Sequence, residues 1–272
     1  MFRNKIIQKL KQWTNQQFIE LVDRGNTAIN ASFSIIPKGS SVLIPEEGGW
    51  IHYHTAPKQL GLNFTEVKCV DAKIDLVDLK QKLETKKYSA FLYQNPGGYF
   101  AEQPMAEIYE LCKEHNCLLI LDASGSVGTK LCDGRYADIL FASFRKWKVV
   151  EAGVGGFIST DNELLWNKIK TQISAYSDEA GLEKIWAQFE NLAQRIEFLL
   201  ELKQQIVKDL SDLDLVYPND LGFVQCIKFS TDEEKERIIN YCKDKHLEWT
   251  ECPRYIRLNC KAICIEIKRR LK

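Results

Sequence analysis

Blocks of apolar residues alternate with amphipathic stretches along the first 160 residues. SVLIP (41–45), FTEVKCV (64–70), YSAFLYQ (88–94), CLLILDAS (117–124), ADILFASF (137–144) and GGFIST (155–160) read as strands. Between them GNTAINASFSII (25–36), LVDLKQKLET (76–85) and MAEIYELCKEHN (105–116) carry helical periodicity. Continuous apolar strands alternating with helices predict an α/β fold: a largely parallel sheet covered on both faces. From 182 to 200 the apolar positions are Leu182, Ile185, Trp186, Phe189, Leu192, Ala193, Ile196, Leu199 and Leu200. Their spacing marks one face of a long helix. After YPND (217–220) a strand (222–229), a helix (232–245), a strand (254–259) and a helix (261–271) are expected, making a small α/β unit. The chain is therefore expected to divide into a large domain over 1–180 and a linking helix plus small C-terminal domain over 181–272.

Composition narrows the partners. The 272 residues carry 37 basic and 37 acidic side chains, so no net charge draws the chain to nucleic acid or a membrane surface. No apolar run approaches the roughly 18 residues of a spanning helix, and the amphipathic, basic N-terminus shows no secretory signal. Nine cysteines, an odd number with no C-x-x-C, predict reduced thiols in a cytoplasmic setting, with Cys260 and Cys264 on one helix face. With four histidines, none at ligand spacing to a cysteine pair, no metal site is expected.

In open α/β sheets ligands sit beyond the carboxyl ends of the strands. Asn95-Pro96, Asp122 and the segment SFRKWK with Ser143, Arg145, Lys146 and Lys148 stand there, and Gly25-Asn26-Thr27 opens a helix. Singly, each has a plain explanation: a turn, a helix cap, a solvated lysine. Together they supply what pyridoxal phosphate requires. These are an amine to form an imine, a carboxylate for the pyridine nitrogen, a helix N-terminus with hydroxyls for the phosphate, and an aromatic or imidazole for the ring face.

On these motifs the chain resembles the fold-type-I pyridoxal phosphate enzymes, above all the DegT/DnrJ-type and class V aminotransferases. SFRKWKVVEAGVGGFIST matches the lysine segment, with Lys148 five residues after Ser143; Asp122 precedes it by 26 residues and Asn95 precedes Asp122 by 27. DASGSVG, RGNTAI and GGWIHY match the aspartate segment, the phosphate loop and the stacking segment. The resemblance implies a mostly parallel seven-stranded-type sheet with a small C-terminal α/β domain, and pyridoxal 5′-phosphate as cofactor. It implies that Lys148 forms the aldimine and moves protons, that Asp122 pairs with the ring nitrogen and that Asn95 meets the 3-oxygen. Asn26, Thr27, Ser143 and Arg145 are implied around the phosphate. The stacking residue is Trp50 counted from Pro45 and His52 counted from Thr27; the sequence leaves both open. Arg257 falls where many aminotransferases clamp a substrate carboxylate.

The implied activity is amino transfer on a small amino compound by a homodimer. A lyase or cysteine desulfurase, or a catalytically idle protein of the same fold, is the alternative. EWTECPRYI, around Cys252, is not the mobile loop a desulfurase needs. Two departures stand out. Gly125 occupies the position three after Asp122, where the family often has Gln or His, and the chain is short, with an N-terminal arm largely absent. The basic end, Lys268, Arg269, Arg270 and Lys272, is expected at a helix C-terminus.

Overall fold

A computed structural model describes residues 2–270. Helix α1 (Phe2–Thr14) leads into strand β1 (Phe18–Val22), α2 (Gly25–Ser34), β2 (Ser41–Pro45), α3 (His52–Gln59) and β3 (Asn63–Val67). A two-residue hairpin, β4 (Cys69–Val70) and β5 (Lys73–Ile74), precedes α4 (Leu76–Thr85). Then come β6 (Ala90–Gln94), α5 (Met105–Glu114), β7 (Leu118–Asp122), β8 (Ile139–Ser143), β9 (Gly156–Thr160) and α6 (Glu163–Ile169). The large sheet has seven strands in the order β1-β9-β8-β7-β6-β2-β3. Pairing from β8 to β3 is parallel, and β9 is antiparallel to both its neighbours.

Alternate residues of each buried strand feed two apolar layers, as the pleat requires. Leu43, Phe91, Leu119, Leu121 and Leu140 face one layer, with side chains from α1, α4 and α5. Val42, Leu92, Ile120, Phe141 and Ile158 face the other, under α2 and α3. Both faces are covered, so these strands read as unbroken apolar runs.

The expected long helix is two: α7 (Glu179–Glu190) and α8 (Leu192–Asp209). Asn191 interrupts it, and its side-chain amide donates to the Ala187 carbonyl at 2.9 Å. The polar residue competes locally for backbone partners that a helix interior would use. The apolar layer beside α1 continues through α7 and α8 into the C-terminal unit.

The C-terminal unit keeps the strand expected over 222–229 and the helix expected over 232–245, and departs from expectation after them. Strands β10 (Asp214–Val216), β11 (Gln225–Lys228), β12 (Trp249–Cys252) and β13 (Ala262–Ile265) form an antiparallel sheet ordered β10-β11-β13-β12, with α9 (Asp232–Asp244) packed on β13. The helix expected over 261–271 is instead β13 followed by one 3₁₀ turn (Ile267–Arg269). β13 is paired on both sides: Ile263 and Ile265 join the core beside α9, while Ala262 and Cys264 face a third cluster. A short apolar run buried on two faces has no period to separate strand from helix. The strand expected over 254–259 is a turn between β12 and β13, closed by Arg254 N–H to the Leu258 carbonyl at 2.6 Å. Lys272 lies outside the described residues.

Cys260 and Cys264 share no helix face, since Cys264 is a strand residue directly opposite Cys226. These two are disulfide-bonded, which corrects the expectation of nine reduced thiols. Register brings them together: opposed positions on neighbouring antiparallel strands set two side chains side by side. No described helix is long and apolar enough to cross a membrane.

Candidate active site

The carboxyl ends of β7 and β8 and the connections after β1 and β2 open into one cavity of about 720 Å³. The C-terminal unit closes its far side through Thr250, Arg254, Arg257 and Lys268.

Asp122 ends β7 and is 4% exposed at the cavity wall. It accepts hydrogen bonds from Tyr53 Oη at 2.6 Å and Ser124 N–H at 2.8 Å. Burial, reinforced by the Asp122 charge, pushes the Tyr53 phenol well above its usual range. The phenol therefore stays protonated and keeps donating. Two donors fix the carboxylate's plane, and carboxylate oxygens retain capacity for a further donor arriving from the cavity. Ser124 also ties two strand ends together, accepting from Ser143 N–H at 2.9 Å.

Lys148 lies in the loop between β8 and β9. Its amine hydrogen-bonds Tyr99 Oη and sits 5.3 Å from the Trp50 ring centroid. Trp50 lines the cavity and donates through its indole N–H to Asn26 Oδ1 at 3.0 Å. His52 is turned elsewhere: its ring nitrogens bond Thr55 and Asn30, each at 2.8 Å, and it is not among the wall residues. Of the two stacking candidates, only Trp50 borders the cavity.

The N-terminus of α2 faces the same space. Gly25 opens the helix and Ser143 packs against it; a Cβ on Gly25 would stand 2.9 Å from the Ser143 Cβ. No side chain caps this helix start, so its N–H groups and positive dipole end can serve an anion. Asn26, Ser143, Arg145 and Lys146 line the wall here. Thr27 does not: its hydroxyl donates to Asp23.

Asn95 follows β6, and its N–H donates to the Asp122 carbonyl at 3.1 Å. Its side-chain oxygen accepts from Gln103 N–H, but its Nδ2 is buried with no partner. Unlike Asp122 and Ser143, Asn95 is not among the residues that line the cavity; a buried unpaired donor of this kind costs free energy.

The wall opposite is different. Arg257 is 2% exposed, and its guanidinium is engaged by the Glu266 carboxylate at 2.6–2.7 Å through Nη2 and by the Ile256 carbonyl through Nη1. Lys268, also buried, pairs with the same Glu266, which additionally accepts from Thr250 Oγ1 at 2.7 Å. Arg257 therefore reaches the cavity as part of an ion cluster rather than as a free fork. The sequence reading passed over Tyr53 and Tyr99 as partners of Asp122 and Lys148. Tyr53 ends the quoted GGWIHY and Tyr99 follows the Asn95-Pro96-Gly97-Gly98 turn, so proximity to those motifs was the available signal.

These residues fit pyridoxal 5′-phosphate on three observations. The helix start beside Gly25 and Ser143 has no side-chain cap and is bare for a phosphate, Asp122 keeps an acceptor at the wall, and Asn95, bonded to the Asp122 carbonyl though off the wall itself, has an unpaired amide.

Comparison with known proteins agrees. The chain is 26% identical over 200 residues to the alanine–glyoxylate aminotransferase of Felis catus, covering 66% of this chain and 45% of that protein. It is 24% identical over 153 residues to the GDP-perosamine synthase of Vibrio cholerae, covering 54% of this chain and 41% of that one. The chain thus spans less than half the length of these curated relatives. Its fold matches a ureidoglycine–glyoxylate aminotransferase from Bacillus subtilis at TM-score 0.70 and 15% identity, over 97% of this chain and 78% of that one. It also matches a pyridoxal phosphate-bound C–S lyase from Staphylococcus hominis at TM-score 0.73 and 13% identity, over 98% and 79%. A family model matches residues 36–194, more than half of the chain, and on that match the chain belongs to the DegT/DnrJ/EryC1/StrS aminotransferase family, whose cofactor is pyridoxal 5′-phosphate.

Proposed function

We propose that this chain holds pyridoxal 5′-phosphate at Lys148 and transfers an amino group to or from a small amino compound. The observation that carries the reading is one cavity bordered by the Lys148 amine, the Asp122 carboxylate and the bare α2 N-terminus. When bound, the cofactor supplies an electron sink for cleavage of a bond at the substrate's α-carbon. Asp122, held by Tyr53 and Ser124, offers a fixed negative charge to the ring nitrogen. Asn95 Nδ2 donates to the 3-oxygen. The α2 amides, with Ser143 and Arg145, hold the phosphate, and Trp50, locked by Asn26, covers one ring face. Lys148 carries the proton that must leave and return. The alternative desulfurase chemistry lacks its nucleophile, because no free cysteine borders the cavity among the described residues.

Trp50, Ile51 and Trp147 line the mouth while 38%, 54% and 43% exposed, which supports a second copy of the chain covering the opening. Sedimentation should give a dimer mass; a monomer at every concentration overturns this part alone. For the cofactor, the purified chain should develop a visible absorption band with pyridoxal 5′-phosphate. Borohydride should fix the label on the Lys148 peptide residue, and Lys148→Ala should remove band and label together. Label on Lys146, or no band, sinks the assignment.

A further inference from the structure

Position 125 has no side chain, and the space is already filled. A Cβ on Gly125 would stand 2.8 Å from Tyr99 Cδ1 and 3.1 Å from Cε1. The Tyr99 ring therefore lies against the very place where a side chain three residues beyond Asp122 would project. Glycine at 125 and the tyrosine at 99 are one feature: either could supply a polar group here, not both.

Tyr99 is delivered by an unusual backbone. Its φ is +70°, after Gly98 at +56°. A bulky residue in that region is strained and persists only where its surroundings over-determine it. They do. Tyr99 N–H donates to the Pro96 carbonyl at 3.0 Å, its own carbonyl accepts from Phe223 N–H at 2.8 Å, and the residue is 6% exposed. Gly222 lets the chain approach, since a Cβ there would stand 2.6 Å from the Tyr99 carbonyl oxygen.

The ring ends on Lys148. The amine hydrogen-bonds the phenol oxygen, which has no other partner among the described residues. Lys148 and Lys268 amines each stand 4.8 Å from the ring centroid, and the Arg257 guanidinium carbon 5.2 Å. One aromatic ring thus stands between the cofactor-side lysine and the buried cations of the opposite wall.

We infer that Tyr99 is the positioning residue of Lys148: a phenol brought from the β6 turn takes the place of the missing side chain at 125 and aims the amine into the cavity. A hydroxyl accepts from an ammonium and donates to a free amine, so the pairing survives gain or loss of the lysine proton. The inference rests on reading Lys148 as the cofactor lysine, but its test does not need the cofactor. In cofactor-free protein, brief acylation at pH 8 followed by peptide mass analysis reports the reactivity of each lysine. Tyr99→Phe keeps the ring against Gly125 and removes only the hydroxyl. Lys148 should be acylated several-fold faster in that variant, with exposed Lys5 and Lys245 unchanged. Equal Lys148 rates would overturn the inference, because a purely packing role is preserved by phenylalanine. Should that variant fail to fold, Gly125→Ala displaces the ring by its Cβ and should give the same rise; an unchanged rate there is equally fatal. Failure of the cofactor assignment would appear separately, as a missing absorption band with this Tyr99 effect intact.

Discussion

The two walls of the cavity are built on opposite principles. On the large-sheet side, polar groups have capacity left over: Asp122 and an uncapped α2 N-terminus at the wall, and behind Asp122 an Asn95 amide with no partner. On the C-terminal side, polar groups saturate one another: Arg257, Lys268 and Thr250 all converge on Glu266. The first wall keeps unused donors and acceptors. The second carries a counter-charge of its own in Glu266, which already engages Arg257 and Lys268. A cation bordering a cavity is thus no evidence of a ligand clamp until its existing partners are counted.

The contrast breaks most visibly at Glu266, which is 1% exposed. Burial alone would push its carboxyl up, but the charges of Arg257 and Lys268 outweigh burial and hold it well below the usual carboxylate range. Removing one partner of a buried ion pair strands the others and costs roughly 3–5 kcal/mol. Glu266→Gln should destabilise the cofactor-free protein by about that much in urea melts at pH 7. The sign with pH follows from the lowered carboxyl. Its stabilisation is complete above the unfolded value of about 4.3 and is lost as pH falls toward the folded value. The gap between wild type and variant should therefore shrink as the solution is made more acid than roughly pH 5. A gap below about 1 kcal/mol at pH 7 would mean that Glu266 does not hold Arg257, which would return as a free carboxylate clamp.

Legibility in the sequence follows the same division. The large sheet was readable because its strands, buried on both faces, are unbroken apolar runs ending in polar or turn residues, and Asp122, Asn95 and Ser143 stand at those ends. Lys148 rather than Lys146 was legible only through the resemblance of SFRKWK to the family's lysine segment. In the C-terminal unit β11 and α9 were readable, and the segment after α9 was not. AICIEI carries a fully paired strand, yet its apolar run has no period, and the basic residues after it look like a solvated helix end. That Lys268 is buried depends on Glu266 two residues earlier and Arg257 nine residues before that, a tertiary pairing that no local pattern announces. Tyr53 and Tyr99 escaped for the same reason: each reaches across from another element. The choice between Trp50 and His52 also needed geometry, because it turns on which way α3 starts after the β2 loop.

The complementary test is on the large-sheet side, behind Asp122, where the effect should be smaller and should depend on the cofactor. Asn95→Ala removes the unpartnered Nδ2 together with the oxygen that accepts from Gln103 N–H. Without cofactor, losing that one buried acceptor should cost about 1–3 kcal/mol, partly offset because an orphaned donor disappears as well. On the proposed function, the wild type should gain with cofactor a hydrogen bond from Nδ2 to a charged oxygen, worth about 1.5–3 kcal/mol, which the variant would lack. Cofactor affinity should therefore fall roughly tenfold to a hundredfold, and the rise in melting temperature on adding cofactor should shrink accordingly. Glu266→Gln should show the reverse signature, a large loss without cofactor and a cofactor-induced rise close to that of the wild type. If Asn95→Ala lost stability equally with and without cofactor, the unpaired amide would have no ligand to meet, and the two walls would not differ in kind.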